Sequence, residues 1–522
     1  MQKICLISLF DDFCLDARYT SSMLRHDGHQ THLILMKGAN YLRPDSGDSS
    51  TPVSAHEMDL LLQAVEKQSP DLIVVFFASP AWGLAKELTQ RIRASLPTPV
   101  LWAGLDSTFS PVDNLDYADM VCLGEPEYPI RHLVASMEKG AIDSTLHGIW
   151  FKQPDEIRRN PMLHLEDVID RFPFPDFEAN GKTVIAEEEI SSALFPPQSH
   201  MHTNLVLRVT RTDPFTCPYC QSAHDGVEHH YDGAVRRRSV DNVIDEIKYR
   251  IQTWPTPIER IEFHDEYFPL DPDWVAYFTE RYATEISYPF TAYTRPGVWD
   301  TSVFPRLKDA RMQGLVLRIP TGSPAILQSV FHRQDSPMLI QDCIRQILDA
   351  GLKVAVELIR NNPLETEEDR KQTLALISSL PKGVAMGRSI PFAFYPNCTL
   401  FQPIQEGSGM ERIHQPQDAH AWQGIETTET VFWDCLYTLA HFEGMEPDTL
   451  MGFSQDAYMR QKPAILQEMV QNLYNCIYLD GNPMVNKEEF IQTLRWRLTK
   501  AESQSNATPV RQVKKLVSLL RG

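Results

Sequence analysis

The sequence predicts an α/β protein with a doubly wound N-terminal domain, a partial (β/α)6 barrel and a helical C-terminal region. Two observations predict this fold class. Short and almost continuously apolar runs recur between residues 1 and 400, as in parallel strands that are buried on both faces. Amphipathic segments with a helical period separate these runs, so strands and helices alternate along the chain.

Residues 1–140 form the first predicted domain. Its strands are KICLISLF (3–10), QTHLILM (30–36), DLIVVFFAS (71–79), PVLWAG (99–104) and MVCLGE (120–125). Its helices lie near 17–27, 55–68, 83–95 and 127–139. This alternation is typical of a flavodoxin-like or Rossmann-like sheet, in which ligands bind beyond the carboxyl ends of the strands.

Residues 141–200 are rich in proline and acidic side chains, as in RFPFPDFEANGK, and we interpret them as a linker. Residues 201–400 alternate again, which predicts six βα units in a partial TIM-like barrel with its active site at the C-terminal ends of the strands. The predicted strands are 204–211, 260–265, 290–295, 314–320, 353–360 and 388–395. The predicted helices are 240–252, 273–285, 302–312, 337–350 and 366–380. Residues 401–522 are expected to form a helical cap over the barrel, followed by a tail.

The composition restricts the class of partner. Of the 522 residues, 43% are apolar, which is enough for sizeable cores, and the net charge is −20. An acidic chain of this kind argues against nucleic acid or an anionic membrane as a partner, because both need a basic surface. The nine cysteines are mostly single, and no secretion signal is recognisable at the N-terminus. These features predict reduced thiols and a cytoplasmic location.

The stretch VTRTDPFTCPYCQS (209–222) carries the strongest chemical signal. Cys217 and Cys220 are separated by two residues, and Asp213 stands where a third cysteine would complete the spacing. The stretch follows the first predicted barrel strand, so we expect it at the mouth of the barrel. Taken alone, the two cysteines are also compatible with half of a zinc site or with a redox pair.

This stretch resembles the C-x-x-x-C-x-x-C loop of the radical S-adenosylmethionine (SAM) superfamily at every position except the first. Further segments resemble that superfamily in the expected order: RRRSVDNVIDEIKY (236–249), RIEFHDEYFPLDPDWV (260–275), GLKVAVELIRNNPLETEEDRKQTL (351–374) and FYPNCTLFQPIQEG (394–407). The N-terminal domain is similar to the cobalamin (B12)-binding domain that precedes many such barrels. The resemblance covers roughly residues 1–405.

The resemblance implies three cofactors. A [4Fe-4S] cluster would be bound by Cys217 and Cys220, with Asp213 as the third ligand. SAM would bind near Asp265, Glu266, Thr321, Glu357 and Tyr395. Cobalamin would bind at Ser79, Gly104, Ser107, Thr108, Gly124 and Glu125. The implied activity is cleavage of SAM to start radical chemistry, either methyl transfer or rearrangement, on a small molecule. An electron donor such as flavodoxin or ferredoxin would reduce the cluster.

Asp213 leaves three alternatives open. Its carboxylate could bind iron, although it is a harder ligand than thiolate. It could instead belong to an Asp-Pro turn in a loop that binds no cluster. A nearby histidine could also replace the missing cysteine; the candidates are His224, His229 and His230. A chain without a cluster would be a corrinoid-binding or partner protein, or a cobalamin-dependent enzyme that does not cleave SAM.

The loop FDDFCLDARYTSS after the first strand contains no histidine, so a corrinoid would bind without a protein imidazole on its cobalt. The alternative is a flavodoxin-like domain that binds no ligand. Glu262 and His264 precede Asp265 at a strand end, where they either face solvent or contribute to a ligand site. Arg318 and Arg360 could pair with carboxylates inside the barrel or bind an anionic substrate.

Overall fold

The structure is a computed structural model, and it is an α/β protein built around two large sheets with helices between their strands. It describes residues 1–38, 53–197, 199–211, 217–219, 235–297, 299–381, 383–386, 390–395, 400, 413–414, 422–424, 428–440 and 447–455. The region predicted to form a C-terminal tail lies mostly outside these residues.

The first sheet has nine strands. They are β1 Lys3–Leu9, β2 Gln30–Met36, β3 Leu72–Phe76, β4 Val100–Ala103, β5 Met120–Cys122, β6 Ile149–Lys152, β7 Ile157–Arg158, β8 Lys182–Ala186 and β9 Glu189–Ser191. Their order is β7-β6-β5-β4-β3-β1-β2-β8-β9. The six central strands are parallel, and β6, β7 and β9 are antiparallel to their neighbours. Chain order reverses beside β1, where doubly wound sheets bind ligands.

Helices accompany this sheet: α1 Leu15–His26, α2 Ala55–Gln68, α3 Trp82–Ser95, α4 Leu105–Phe109, α5 Pro111–Asn114 and α6 Glu127–Glu138. Two separate apolar cores form because successive side chains of a strand point to opposite faces. In β1, Cys5 and Ile7 enter one core, while Ile4 and Leu6 enter the other. The central strands are therefore buried on both sides, as their continuous apolar sequence predicts.

The interpretation of residues 141–200 as a linker is wrong. Strands β6 to β9 all come from this segment and extend both edges of the first sheet. These strands are short, at two to five residues, and β9 is fully exposed. The edge strands β7 and β9 carry no apolar run, so their sequences look like those of loops.

The second sheet has six strands, all parallel and in chain order. They are β10 Asn204–Leu207, β13 Arg260–Phe263, β14 Phe290–Thr294, β15 Met312–Arg318, β16 Lys353–Glu357 and β18 Val384–Met386. The short strands β11 Thr210–Arg211, β12 Arg236–Arg237, β17 Ile359–Arg360, β19 Ile390–Pro391, β20 Ala393–Phe394, β21 Ile413–His414 and β22 Trp422–Gly424 form three small separate sheets. Sequential parallel order is the order that six βα units give.

The sixth strand of this sheet lies earlier than the sequence predicts. A strand is expected at 388–395, whereas the sheet ends with Val384–Met386. These residues pair with Val354–Val356 of β16, and Val384 thereby joins the core beneath the sheet. The three residues Val384–Met386, and not the predicted run 388–395, therefore form the sixth strand of the sheet.

The accompanying helices are α7 Val240–Thr253, α8 Pro272–Glu285, α9 Val303–Asp309, α10 Pro324–Ser329, α11 Pro337–Asp349, α12 Glu367–Ser378, α13 Thr428–Leu439 and α14 Pro447–Ser454. Helix α12 begins with a capping box, in which the Thr366 hydroxyl accepts from the Asp369 amide and the Asp369 carboxylate accepts from the Thr366 amide. In the part of the chain that the structure describes, no helix is both long and apolar enough to cross a bilayer.

The two faces of the six-stranded sheet differ sharply. Alternate residues such as Ile261 and Phe263 are fully buried in the core that α7, α8 and α11 cover. The residues between them form a face that is largely polar and half-buried, which we call the inner face. It includes Asn204, Val206, Arg260, Glu262, Thr291, Tyr293, Val316, Arg318, Ala355 and Glu357. A polar, partly open face of this kind can bind a ligand, whereas the opposite face can only pack.

Candidate functional site at the meeting strand ends of the two sheets

Arg211, the last residue of β11, links the segment after β10 of the second sheet to the segment after β5 of the first sheet. Its Nη2 lies 2.6 Å from Glu127 Oε1, and its Nη1 lies 3.2 Å from Glu125 Oε2. Both carboxylates belong to the segment that follows β5 of the first sheet. The guanidinium also lies over the rings of Tyr19 and Phe172, at 4.9 and 4.7 Å from their centroids. The edge where the first sheet is expected to bind a ligand therefore adjoins the start of the cysteine loop.

Arg236 of β12 reinforces this junction. Its Nη2 lies 2.5 Å from Glu125 Oε1, and its Nη1 donates to the carbonyl of Glu166 at 3.0 Å. Burial alone would raise the pKa of Glu125, but the guanidinium groups of Arg211 and Arg236 outweigh it and hold that pKa below its usual value. Glu125 is therefore an ionised partner of two arginines.

Asp265 fixes the turn that leads from β10 to β11. Its Oδ1 accepts from the amides of Val209 and Thr210, at 2.9 and 2.7 Å, and from the Thr210 hydroxyl at 2.7 Å. Burial raises the pKa of Asp265 to about 6, although these donors act in the opposite direction. Its Oδ2 is buried and makes no hydrogen bond to any described residue. Asp265 thus positions the backbone just before the cysteine loop.

Arg318, on the inner face, pairs with two residues predicted to bind SAM, Glu266 and Glu357. Its Nη1 lies 2.5 Å from Glu266 Oε2, and its Nε lies 3.5 Å from Glu357 Oε2. Burial lowers the pKa of Arg318, but the two carboxylates outweigh that effect and raise it. Of the two roles open for Arg318, the structure shows pairing with carboxylates. Glu266, Glu357 and Arg318 therefore form one ionic group at the strand ends of the sheet.

Thr321 and Arg360 are directed away from this group. The Thr321 hydroxyl lies 2.9 Å from that of Thr373 in α12, and it accepts from the Ser323 amide at 3.2 Å. Arg360 Nη1 lies 3.4 Å from Asp434 Oδ2 in α13. Thr321 thus anchors its loop to α12, and Arg360 joins β17 to α13.

Cys217 is 4% exposed and packs in an apolar cluster with Ile326, Val330, Phe331 and Phe392. These neighbours follow the C-terminal ends of β15 and β18, so Cys217 lies on the side of the sheet where the mouth is expected. The Tyr219 hydroxyl accepts from the Ala393 amide at 3.3 Å, and its ring centroid is 6.3 Å from that of Tyr395. The remaining candidates of this loop, Asp213, Cys220, His224, His229 and His230, lie outside the described residues.

The residues predicted to hold cobalamin come together at the ends of β3, β4 and β5. The Thr108 hydroxyl donates to the Gly104 carbonyl at 3.1 Å and accepts from the Gly124 amide at 3.0 Å. Ser79 is fully buried in the turn after β3. Ser107 Oγ is buried and has no hydrogen-bond partner within the described ranges, so one buried polar group at this edge is unsatisfied. Glu125 belongs to the arginine junction instead.

The sequence does not single out Arg211, Arg236 or Glu127. The Arg211–Glu127 pair spans 84 residues and the Arg236–Glu125 pair spans 111. Single arginines and glutamates are common on protein surfaces, and only the packing of the two sheets brings these together. The spacing of charged residues along the chain therefore contains no signal for this junction.

No protein-family model matches the chain. It is 22% identical to an uncharacterized methyltransferase of Pyrococcus horikoshii over 334 residues, which is 61% of this chain and 66% of that protein. The match thus spans just under two thirds of that relative.

Solved structures with the same fold include the following two enzymes. One is the cobalamin-dependent S-adenosylmethionine radical enzyme OxsB with aqua-cobalamin bound, with a TM-score of 0.63, 14% identity, and coverage of 100% of this chain and 79% of that chain. The other is the radical S-adenosylmethionine methyltransferase TsrM from Kitasatospora setae with cobalamin and a [4Fe-4S] cluster bound. Its TM-score is 0.57 at 16% identity, with coverage of 78% of this chain and 75% of that chain. The chain therefore has the mixed α/β fold with parallel sheets that these enzymes have.

Proposed function

We propose that this chain is a cobalamin-dependent radical SAM enzyme that acts on a small molecule, with methyl transfer as the favoured reaction and rearrangement as the other. One observation carries the proposal: Arg211 joins the ligand edge of the first sheet to the start of the cysteine loop. Two cofactors bound at these edges would share one chamber. The fold common to OxsB and TsrM, and the low-identity methyltransferase relative, support the same conclusion.

The described residues fit a corrinoid at the first edge. Gly104 has a φ of +113°, and a Cβ at this position would lie 2.5 Å from the Phe77 carbonyl oxygen, so only glycine allows this path of the chain. The Thr108 hydroxyl ties that path to Gly124, and Ser107 Oγ offers an unused polar group. When bound, cobalamin would supply a transferable methyl group, and SAM with the cluster would supply a radical.

The second edge fits an iron–sulfur cluster through its donor chemistry. Thiolates are the usual ligands of such clusters, and Cys217 and Cys220 provide two. Asp213 would provide a carboxylate as the third ligand. Asp265 holds the turn before this loop, and the pairs of Arg318 with Glu266 and Glu357 place charged groups beside the expected SAM position. These residues would orient the ligands and exclude water.

Metal and corrinoid content after anaerobic purification and reconstitution tests the proposal. We expect iron, sulfide and one corrinoid per chain, with micromolar binding of hydroxocobalamin detected by its visible spectrum. If hydroxocobalamin does not bind, the first domain has only a structural role and the methyl-transfer proposal fails.

Asp213 favours a second candidate function. With a carboxylate at the first cluster position, the fold could have lost its cluster and serve as a corrinoid-binding or partner protein, or as a cobalamin-dependent enzyme that does not cleave SAM. A reconstituted protein that binds hydroxocobalamin but contains no iron or sulfide would support this candidate. SAM cleavage to 5′-deoxyadenosine under reducing conditions would exclude it.

A further inference from the structure

The inner face carries a second group of ligand-type side chains: His200, Glu262 and His264. One donor atom from each of the three lies within 4.8 Å of the others. Glu262 Oε2 lies 3.0 Å from His264 Nε2 and 3.5 Å from His200 Nε2. Two imidazole nitrogens thus converge on one carboxylate oxygen.

The local structure explains why these side chains meet. Glu262 lies in β13 and His264 follows two residues later, so both point to the inner face. His200 begins a short 3-10 turn, His200–His202, directly before β10. Strands β10 and β13 are neighbours, with Asn204 opposite Arg260, so the turn lies beside the strand that carries Glu262.

The surroundings fix the direction of the donor atoms. Asn204 Nδ2 donates to Glu262 Oε1 at 2.8 Å, which leaves Oε2 for the histidines. The two imidazole rings are nearly parallel, with an angle of 21° between their planes. The His264 ring also contacts that of Tyr293 edge-on, with 4.6 Å between centroids. Hydrogen bonds and packing around ligand side chains are what orient them in metal sites.

The distances suit a small divalent ion. Metal–ligand bonds of about 2.0–2.2 Å place two ligands of a tetrahedral site about 3.3 Å apart. The distances from Glu262 Oε2 to the two nitrogens lie on either side of this value. Imidazole and carboxylate donors without sulfur suit Zn²⁺, Fe²⁺ and similar ions. Three protein ligands also leave a coordination position open.

We propose that His200, Glu262 and His264 bind one divalent first-row transition-metal ion, with its open coordination position directed into the space above the inner face. This ion would bind an oxygen or nitrogen atom of a substrate, or a water molecule. None of the three ligands belongs to the cysteine loop or to the first sheet. The proposed site therefore stands whether or not the function proposed above is correct.

Co²⁺ titration of the full-length, cluster-free and metal-free protein tests the site. We expect one Co²⁺ per chain at micromolar affinity, with visible ligand-field bands and no near-ultraviolet thiolate charge-transfer band. Zn²⁺ should displace it. Absence of bound Co²⁺, or a single bound Co²⁺ whose thiolate band disappears in Cys220→Ser, would show that His200, Glu262 and His264 form only a hydrogen-bonded group.

Variants locate the ion. His200→Ala, at a side chain that is 53% exposed, should weaken Co²⁺ binding at least about tenfold without affecting folding. Glu262→Gln and His264→Ala should do the same, and Asn204→Ala should weaken binding about 10- to 100-fold by freeing the carboxylate. The matched control is His56→Ala, because His56 is an exposed histidine of α2 far from this group in sequence. Equal affinity in His200→Ala and in wild type would overturn the assignment.

Discussion

Arg211 and Glu127 lie 2.6 Å apart although Arg211 ends β11, Glu127 begins α6, and 84 residues separate them. Glu127 is nearly fully buried, and the Arg211 guanidinium is enclosed between Tyr19 and Phe172. A charge pair of this kind is costly to break from one side, because the remaining ion stays buried without its partner. The junction therefore holds the two strand edges in a fixed relation.

Arg211→Ala should lower the free energy of unfolding by about 3–5 kcal/mol. The reason is that Glu125 and Glu127 would lose the cation that offsets their burial, which already raises the pKa of Glu127 to about 7. Urea denaturation measures the change. Arg237→Ala is the matched control, because Arg237 pairs with Asp271 at 2.8 Å on the surface. That variant should lose only about 0–1 kcal/mol. Equal losses in the two variants would contradict a buried junction.

Gly104→Ala should destabilise the protein and weaken hydroxocobalamin binding. At φ +113° a Cβ would lie 2.5 Å from the Phe77 carbonyl oxygen, so the turn after β4 must shift. Gly140→Ala is the control: its φ is +95°, but nothing lies within 4 Å of its Cβ. Gly140→Ala should cost about 1–2 kcal/mol from backbone strain alone, and Gly104→Ala should cost more. Thermal unfolding and spectral titration compare the two. Unchanged corrinoid affinity in Gly104→Ala would argue against a cofactor at this turn.

Asp265→Asn should change how stability depends on pH. The pKa of Asp265 is raised by burial from 3.8 to about 6 in the folded protein. The folded state therefore holds the proton more tightly, so this contribution to stability is present below pH 3.8 and is lost as pH rises to about 6. Between these pH values the wild type should lose about 3 kcal/mol relative to Asp265→Asn. Denaturation midpoints measured across this range provide the test, and parallel pH profiles would contradict the prediction.

Asp213 variants should decide whether the carboxylate binds iron. If it does, Asp213→Ala lowers iron and sulfide content, and Asp213→Cys retains the cluster better, because thiolate suits iron–sulfide more than carboxylate does. Absorbance of the reconstituted proteins is the measurement. A colourless wild type together with a coloured Asp213→Cys would show that the natural loop binds no cluster.

The sequence predicts most of the parallel strands and misses the edge strands, and it also misses β8, a buried parallel strand within the segment interpreted as a linker. Runs such as Leu72–Phe76 are apolar throughout because both faces of their sheet are covered. Strands β7 and β9 have no such requirement, since solvent reaches them, and Ile157–Arg158 or Glu189–Ser191 carries no recognisable pattern. Burial on two faces leaves a signal in the sequence, and position at a sheet edge leaves almost none.

The residues of the candidate site also fall into those that the sequence predicts and those that it misses. The sequence predicts Gly104 and Thr108 because both follow a strand, and in the structure they lie together at the end of β4. Glu125 also follows a strand, but its carboxylate pairs with Arg211 and Arg236, which come from a distant part of the chain. His200 meets Glu262 only through the pairing of β10 with β13. Contacts between side chains that only the packing of the fold brings together cannot be predicted from their positions along the chain.

The Arg211 junction also has a thermodynamic consequence. Arg211 immediately precedes the cysteine loop, and the carboxylates that hold it follow β5, at the edge assigned to cobalamin. This contact would therefore belong to both of the cofactor sites that we propose. If a corrinoid changes the affinity for SAM by some factor through this contact, SAM must change the affinity for the corrinoid by the same factor. We therefore expect the two cofactors to load as a coupled pair, with the order of addition affecting the rate of assembly and leaving the final occupancy unchanged.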